Sequence, residues 1–79
     1  MVTVRYFAAA RAAAGVAEER LDVPTLTALV DQAGAGHGSR LRTVLAAASF
    51  LVDGTAWHDR DAALPPDATV DVLPPFAGG

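Results

Sequence analysis

The chain has 79 residues, of which 52% are apolar, and its formal net charge at pH 7 is −3. This length allows one small domain with a modest core, and the apolar fraction excludes a disordered chain. The six basic residues are all arginines, and because they are dispersed they form no basic cluster of the kind that binds nucleic acid. The absence of cysteine excludes disulfides, thiolate metal sites and a cysteine nucleophile.

The sequence also indicates a cellular location, and it argues against a metal site and a catalytic carboxylate pair. No apolar stretch is long enough for a membrane span, and no signal peptide opens the chain, so we expect a cytoplasmic protein without a membrane partner. His37 and His58 lie on unrelated segments without metal-ligand spacing, so we expect loop or surface positions and no metal site. Glu18 and Glu19 are adjacent and would face opposite sides of a strand, which argues against a carboxylate pair.

The first third of the chain predicts two strands. Residues 2–8 alternate between two faces. One face would carry Val2, Val4 and Tyr6, and the other would carry Thr3, Arg5 and Phe7. The alanine-rich segment that follows suits a loop or a short helical turn closed by Gly15, and residues 17–23 have a weaker strand pattern. Because the two strands are close in sequence, we expect them to pair antiparallel.

The middle of the chain predicts helix. Thr25 is a candidate N-cap, and apolar residues follow it at helical spacing as far as Ala33. Gly34 and Gly36 are expected to end this helix. Ser39 would cap a second helical segment through Ala48, with a turn-rich linker as the alternative.

The last third predicts three strands. Residues 50–52 and 55–58 flank Asp53-Gly54, a pair that favours a type I′ hairpin turn. A proline-containing connector leads to a final strand over residues 69–73. The predicted order describes an α+β fold with a mixed sheet packed on one main helix, and it matches the ubiquitin-like β-grasp. We expect a domain over residues 1–73 and a flexible tail over residues 74–79.

The tail reads Pro74-Pro75-Phe76-Ala77-Gly78-Gly79. The two prolines end the last strand and hold the start of the tail extended. Six extended residues reach about 20 Å, and two glycines give the narrowest chain with the widest backbone freedom. Such an end suits entry into a narrow channel of a partner enzyme, with the carboxylate of Gly79 as the reactive group.

Two segments of the sequence resemble a known family. Val4-Arg5-Tyr6-Phe7-Ala8-Ala9, followed by Arg11 and Gly15, is similar to the opening of the MoaD/ThiS sulfur carriers. Residues 72–79 are similar to the C-terminal signature of that family. The likeness is greatest to the branch that forms the small subunit of molybdopterin synthase, and Val52-Asp53-Gly54 stands where that branch has a hairpin.

The resemblance implies a function without catalytic side chains on the carrier itself. An E1-like enzyme would use ATP to adenylate Gly79, and a sulfur donor, such as a cysteine desulfurase or a rhodanese-like protein, would convert it to a thiocarboxylate. The carrier would then dock on a large subunit that holds the catalytic residues and donate sulfur to a pterin precursor in molybdenum cofactor biosynthesis. It implies no cofactor on the carrier, and a heterotetramer of two carriers and two large subunits.

Strand alternation adds a candidate docking surface. Phe7 shares a face with Thr3 and Arg5, and Leu73 shares a face with Thr69 and Asp71, so both apolar residues are expected to be exposed, with burial at strand ends as the alternative. With the resemblance, the expected partner-binding residues are Phe7, Trp57, Leu73, Pro74, Pro75, Phe76 and Ala77.

Three other functions stay open at this point. The chain could carry sulfur for thiazole or another thio-metabolite, although thiazole carriers usually lack the Arg-Tyr-Phe-Ala opening. It could be a ubiquitin-like modifier that is ligated through Gly79 to lysines of other proteins. It could also be a β-grasp interaction module, for which deletion of Gly78 and Gly79 would change little.

Overall fold

A computed structural model describes residues 1–75 of the chain. Its elements, in chain order, are β1 (Val2–Tyr6), α1 (Ala8–Ala14), β2 (Glu18–Leu21), α2 (Leu26–His37), α3 (Ser39–Ala47), β3 (Ser49–Val52), β4 (Thr55–Ala56) and β5 (Thr69–Leu73). Each helix within this range is too short or too polar to span a membrane.

The strands form one mixed sheet with the first and last strands side by side. The order across the sheet is β2-β1-β5-β3-β4. Strands β1 and β5 are parallel, whereas the other neighbours are antiparallel, which confirms the predicted pairing of β1 with β2. The β1–β5 register places Thr3 opposite Thr69 and Tyr6 opposite Val72. Since β5 has a neighbour on each side, the strand that leads to the tail is held along its whole length.

The inner face of the sheet packs against the helices to form the core. Its side chains are apolar, and no polar or charged residue between residues 1 and 75 is fully buried. The fully buried side chains include Val4, Val70 and Val72 from the sheet and Leu26, Leu29, Leu41 and Leu45 from α2 and α3. Burial of each leucine contributes about 1.5–3 kcal/mol. The predicted cap of α2 is confirmed, because Thr25 Oγ1 accepts a hydrogen bond from the Ala28 amide at 3.1 Å.

The predicted end of α2 is wrong. The helix continues through Gly34 and Gly36 to His37 and ends at Gly38, whose φ of 99° is unfavourable for residues with a side chain. A Cβ on Gly34 would lie 2.9 Å from Nε and 3.4 Å from Cβ of Arg42, so the Arg42 side chain of α3 packs over this glycine. Contacts with α3 therefore override the weak helix propensity of glycine here.

Two glycine turns match the sequence expectation. Gly15, with a φ of 77°, ends α1 and donates its N–H to the Arg11 carbonyl at 2.9 Å, which makes the alanine-rich segment a true short helix. Asp53 and Gly54 both have positive φ, at 49° and 83°, as a type I′ turn requires. The Asp53 carboxylate also accepts from the Thr69 amide at 2.9 Å, which ties the hairpin to β5.

Arg60 anchors the connector between β4 and β5 to three parts of the fold. Its carbonyl accepts from the Thr27 amide at 3.0 Å, at the start of α2. Its Nη2 donates to the Ala48 carbonyl at 3.1 Å, just beyond α3, and its Cζ lies 5.0 Å from the centre of the Phe50 ring. One side chain therefore joins the connector, the end of α3 and the start of β3.

We expect Arg60→Ala to lower the free energy of unfolding by about 1–2 kcal/mol, because it removes a charged hydrogen bond and a cation–π contact. Urea unfolding followed by Trp57 fluorescence measures the change. Arg40→Ala is the matched control, since Arg40 is exposed on α3 and has no side-chain hydrogen bond or ion pair within residues 1–75. Equal losses in the two variants would contradict the anchoring role of Arg60.

Candidate protein-interaction surface

The outer face of the sheet, which points away from the helices, carries Phe7 and Leu73, two of the predicted docking residues. The strand register places Arg5 opposite Asp71, and Asp71 opposite Leu51, on this outer face. Phe7 directly follows β1 and is 36% exposed, which confirms its predicted exposure. Leu73, opposite Ser49, is half-buried and not exposed as expected, because it pairs within the sheet at the end of β5. The outer face therefore carries the apolar side chains of Leu51 and Leu73, with Phe7 at its end, among charged residues. The charged residues are Arg5, Glu18, Arg20 and Asp71.

Arg5 and Asp71 form an ion pair on this face. Arg5 Nε lies 2.9 Å from Asp71 Oδ1, and the side chains are 47% and 17% exposed, respectively. The Arg5 Cζ also lies 5.4 Å from the centre of the Phe7 ring. Arg5 therefore links the two central strands of the sheet and contacts the most exposed aromatic ring of the surface.

The apolar surface continues from Phe7 around the end of α1. An open depression of about 430 Å³ is lined by Ala8, Arg11, Ala12, Gly15, Val16 and Ala17. Val16 is 40% exposed, and a second depression that includes Phe7 shares Arg11 and Ala17 with the first. The sequence pattern did not identify Val16, because it lies in a loop where no alternation indicates a face.

The other predicted docking residues are placed differently. The Trp57 amide donates to the Phe50 carbonyl at 3.0 Å, and this pairing places Trp57 on the inner face, where it packs partly against the core. Its indole Nε1 is buried without a hydrogen-bond partner within residues 1–75. Pro74 is half-buried and Pro75 is exposed. The predicted positions at Phe76, Ala77, Gly78 and Gly79 lie outside the described residues.

A polar cluster joins β1, β2 and the end of α2. The Tyr6 hydroxyl donates to Glu19 Oε2 at 2.6 Å, and His37 Nε2 hydrogen-bonds the same oxygen at 2.6 Å. The rings of Tyr6 and His37 meet edge to face, with centroids 6.2 Å apart. Burial, then the hydrogen bond and charge of Glu19, raise the pKa of Tyr6 well above its usual value.

This cluster corrects two expectations from the sequence. His37 is the last residue of α2 and is partly buried against Glu19, so it is neither a loop nor a free surface residue. Glu19 pairs with Tyr6 and His37 on two other elements, and its position next to Glu18 in the sequence gives no sign of these contacts. Within residues 1–75, no group of three or more His, Cys, Asp or Glu side chains is placed to hold a metal ion.

The fold and its outer surface define the class of protein. A mixed five-stranded sheet in this order with helices on one face is the ubiquitin-like β-grasp, and solved structures from Pyrococcus furiosus and Haloferax volcanii share that architecture. The model of the ThiS family matches residues 4–79. The chain therefore belongs to the ThiS family, which confirms the resemblance to MoaD/ThiS proteins.

Solved structures support the fold over nearly the whole chain. A protein assigned as molybdopterin converting factor subunit 1 from Pyrococcus furiosus is 27% identical, with a TM-score of 0.80 over 95% of this chain and 97% of that one. SAMP1 from Haloferax volcanii is 21% identical, with a TM-score of 0.82 over 99% and 98%.

A third structure, the complex of subunits 1 and 2 of the molybdopterin-converting factor from Helicobacter pylori, is 19% identical, with a TM-score of 0.68 over 99% of this chain and 97% of that one. At identities near 20%, the second and third likenesses show the fold alone. No curated protein sequence matches the chain.

The polar cluster of Tyr6, Glu19 and His37 predicts that the folded state loses stability at alkaline pH. The chain has one tyrosine, no cysteine and no lysine, so in the unfolded chain Tyr6 is the side chain that titrates near pH 10. The unfolded chain loses this proton above about pH 10 while the folded state keeps it, so stability should fall with rising pH by up to about 1.4 kcal/mol per unit. Urea unfolding at successive pH values measures the slope.

Tyr6→Phe is the control for this slope. It should cost about 1 kcal/mol near neutral pH, because Glu19 loses a donor, and it should remove the dependence above pH 10. A variant that lost stability in alkali as steeply as the wild-type chain would contradict the role of Tyr6.

Proposed function

We propose that this protein is a sulfur carrier whose working group is the carboxylate of Gly79. The observation that carries the proposal is the ThiS family match over residues 4–79, which includes the Gly-Gly end. The fold supports it, because β5 lies at the centre of the sheet and gives residues 74–79 a fixed origin. The exposed Phe7 stands beside that origin.

The chemistry requires only a chain end on the carrier. A carboxylate is a poor electrophile, so an E1-like enzyme first transfers AMP from ATP to Gly79 and releases pyrophosphate. A sulfur nucleophile then attacks the acyl carbon and displaces AMP, which leaves a thiocarboxylate. The thiocarboxylate is an anionic nucleophile at neutral pH, so it needs no base from the carrier. The catalytic residues for its use would belong to a partner.

We further propose that the acceptor is a pterin precursor and that the partner is the large subunit of molybdopterin synthase. The 27% identity to a protein assigned as molybdopterin converting factor subunit 1 supports this pathway. The Helicobacter pylori structure contains subunits 1 and 2 of that factor as a complex. The outer face around Phe7 and Leu73 is the surface that would meet the large subunit.

A second candidate function is protein modification. Two structural neighbours, from Haloferax volcanii and Methanosarcina acetivorans, are small archaeal modifier proteins. A modifier would also be adenylated at Gly79, but its acyl group would then pass to a lysine of another protein. The two functions differ in their product: a sulfur carrier forms a thiocarboxylate, whereas a modifier forms an isopeptide conjugate.

The first test is the intact mass of the protein after incubation with the E1-like enzyme of its host, ATP and sulfide. We expect a gain equal to the exchange of one oxygen for sulfur, located on the peptide that contains Gly79. The chain lacking Gly78 and Gly79 should stay unmodified. An unchanged mass with an E1-like enzyme that is active on another substrate would overturn the carrier proposal.

If the outer face is the docking surface, Phe7 should contribute more to partner binding than to stability. Phe7→Ala should weaken binding to the large subunit by about thirtyfold, the loss typical of a central aromatic contact, while costing about 1 kcal/mol of stability or less. Calorimetric titration and urea unfolding measure the two effects. Val30→Ala is the control, because Val30 is half-buried on α2, away from the outer face, and should cost stability without affecting binding. A parallel loss of both quantities in Phe7→Ala would contradict a docking role.

A further inference from the structure

We propose that β2 is an interaction edge, at which a second copy of this chain adds its own β2 in antiparallel orientation to form one continuous sheet. The inference goes beyond the proposed function and does not rest on it, because it concerns the edge of the sheet and neither Gly79 nor the contact made by Phe7. It gives a role to Glu18 and Arg20, two exposed residues of β2.

The backbone of β2 has unused hydrogen-bonding groups along its free edge. Strand β2 ends the sheet and pairs with β1 alone within residues 1–75. The Tyr6 amide donates to the Ala17 carbonyl at 2.8 Å, so in this antiparallel ladder the alternate residues Ala17 and Glu19 bond to β1. The N–H and C=O groups of Glu18 and Arg20 therefore point away from the sheet, where they form a template for another strand.

The other edge of the sheet is protected against such pairing, whereas β2 is not. Strand β4 has only two residues, and short edge strands are one means by which proteins prevent edge-to-edge contact. Strand β2 has four residues and no proline. Its inward-pointing charge, Glu19, would oppose pairing if it were free, but Glu19 Oε2 lies 2.6 Å from both the Tyr6 hydroxyl and His37 Nε2. These contacts turn the carboxylate toward β1 and α2 of its own chain.

Glu18 and Arg20 carry opposite charges, and both are available at this edge. Their side chains are exposed on the outer face, and neither forms an ion pair within residues 1–75. The register places Glu18 opposite Arg5, but the ion pair of Arg5 is with Asp71. One exposed charge of each sign, two residues apart, is therefore left for a partner strand.

One register of two antiparallel β2 strands satisfies the backbone and both charges. When the twofold axis passes through Glu19, Glu18 of each copy lies opposite Arg20 of the other, and each of these pairs can exchange backbone hydrogen bonds and form an ion pair. A shift of the axis by one residue places Glu18 opposite Glu18, or Arg20 opposite Arg20, which is unfavourable. An axis at Leu21 would place Pro24, which has no N–H, opposite Glu18. The charges and the backbone together therefore favour a second copy in this register.

The pairing is compatible with docking through the outer face. Because the axis is perpendicular to the sheet, the outer faces of both copies point the same way, and Phe7 of each copy stays uncovered. The contact along β2 is small, and Glu19 meets Glu19 of the second copy across the axis, so we expect a weak, transient dimer.

Sedimentation velocity of the full-length chain at rising concentration tests the proposal. The wild-type chain should shift from monomer to dimer, with a dissociation constant of about 1 mM or less. Glu18→Arg or Arg20→Glu alone should weaken association by about tenfold, because two pairs of opposite charges become pairs of like charges. Arg40→Glu is the matched control, because it makes the same charge change on an exposed residue of α3, and it should associate within about twofold of wild type.

A mixture of the two charge variants identifies the register. In an equimolar mixture of Glu18→Arg and Arg20→Glu, every arginine of one edge lies opposite a glutamate of the other. The mixture should therefore form a heterodimer at least as tightly as the wild-type chain forms its dimer. Both variants keep a negative net charge, because each substitution changes the formal charge of −3 by two units, so a general attraction between the chains does not explain this result.

Arg20→Pro tests the backbone part of the contact. Since the Arg20 N–H points outward, proline removes a donor from the edge and none from the ladder with β1, so the variant should fold, as urea unfolding measures, and stay monomeric. A wild-type chain that is monomeric at about 1 mM would overturn the proposal, as would a dimer that none of these variants weakens or a mixture that does not associate. Thiocarboxylate formation by a chain that does not dimerise would leave the proposed function intact.

Discussion

The parallel pairing of β1 with β5 is the contact on which the rest of the structure depends. It joins segments more than 60 residues apart, such as Thr3 and Thr69, so all other elements form the connection between these two strands. A parallel pair needs such a long crossover, and here the crossover contains the helices that cover the inner face. The same pairing places Arg5 beside Asp71 and Phe7 near the end of β5. The core and the outer surface therefore both depend on the pairing of β1 with β5.

The sequence predicted the parts of the fold that are encoded within a few residues. The last strand begins and ends at Thr69 and Leu73 as expected, because alternation marks its length and two prolines mark its end. The Asp53-Gly54 turn and the Thr25 cap were predictable because a turn or a cap requires particular residue types at one or two positions. The exposure of Phe7 followed from the polar character of Thr3 and Arg5 on the same strand face.

The features that were missed depend on contacts between distant segments. Gly34 was expected to end α2, but the helix continues through it and packs there against Arg42 of α3. Glu19 was set aside beside Glu18, yet it binds Tyr6 and His37 from two other elements. Trp57 was placed on the docking surface, although its pairing with Phe50 puts it on the inner face. Periodicity gives no information about which segments meet, so these contacts need the tertiary structure.

For a carrier that works through its chain end, affinity for any one partner has to be limited. In the function proposed above, the same surface would meet an activating enzyme and then an acceptor enzyme, and a tight complex with either would stop the exchange. An uninterrupted apolar face would favour strong binding to many surfaces, whereas a charged pair in its centre makes binding conditional on a complementary group. The Arg5–Asp71 pair has this position, between the apolar residues Phe7 and Leu51. In the proposed function, a charged pair on the docking face would limit binding to partners that present complementary polar groups.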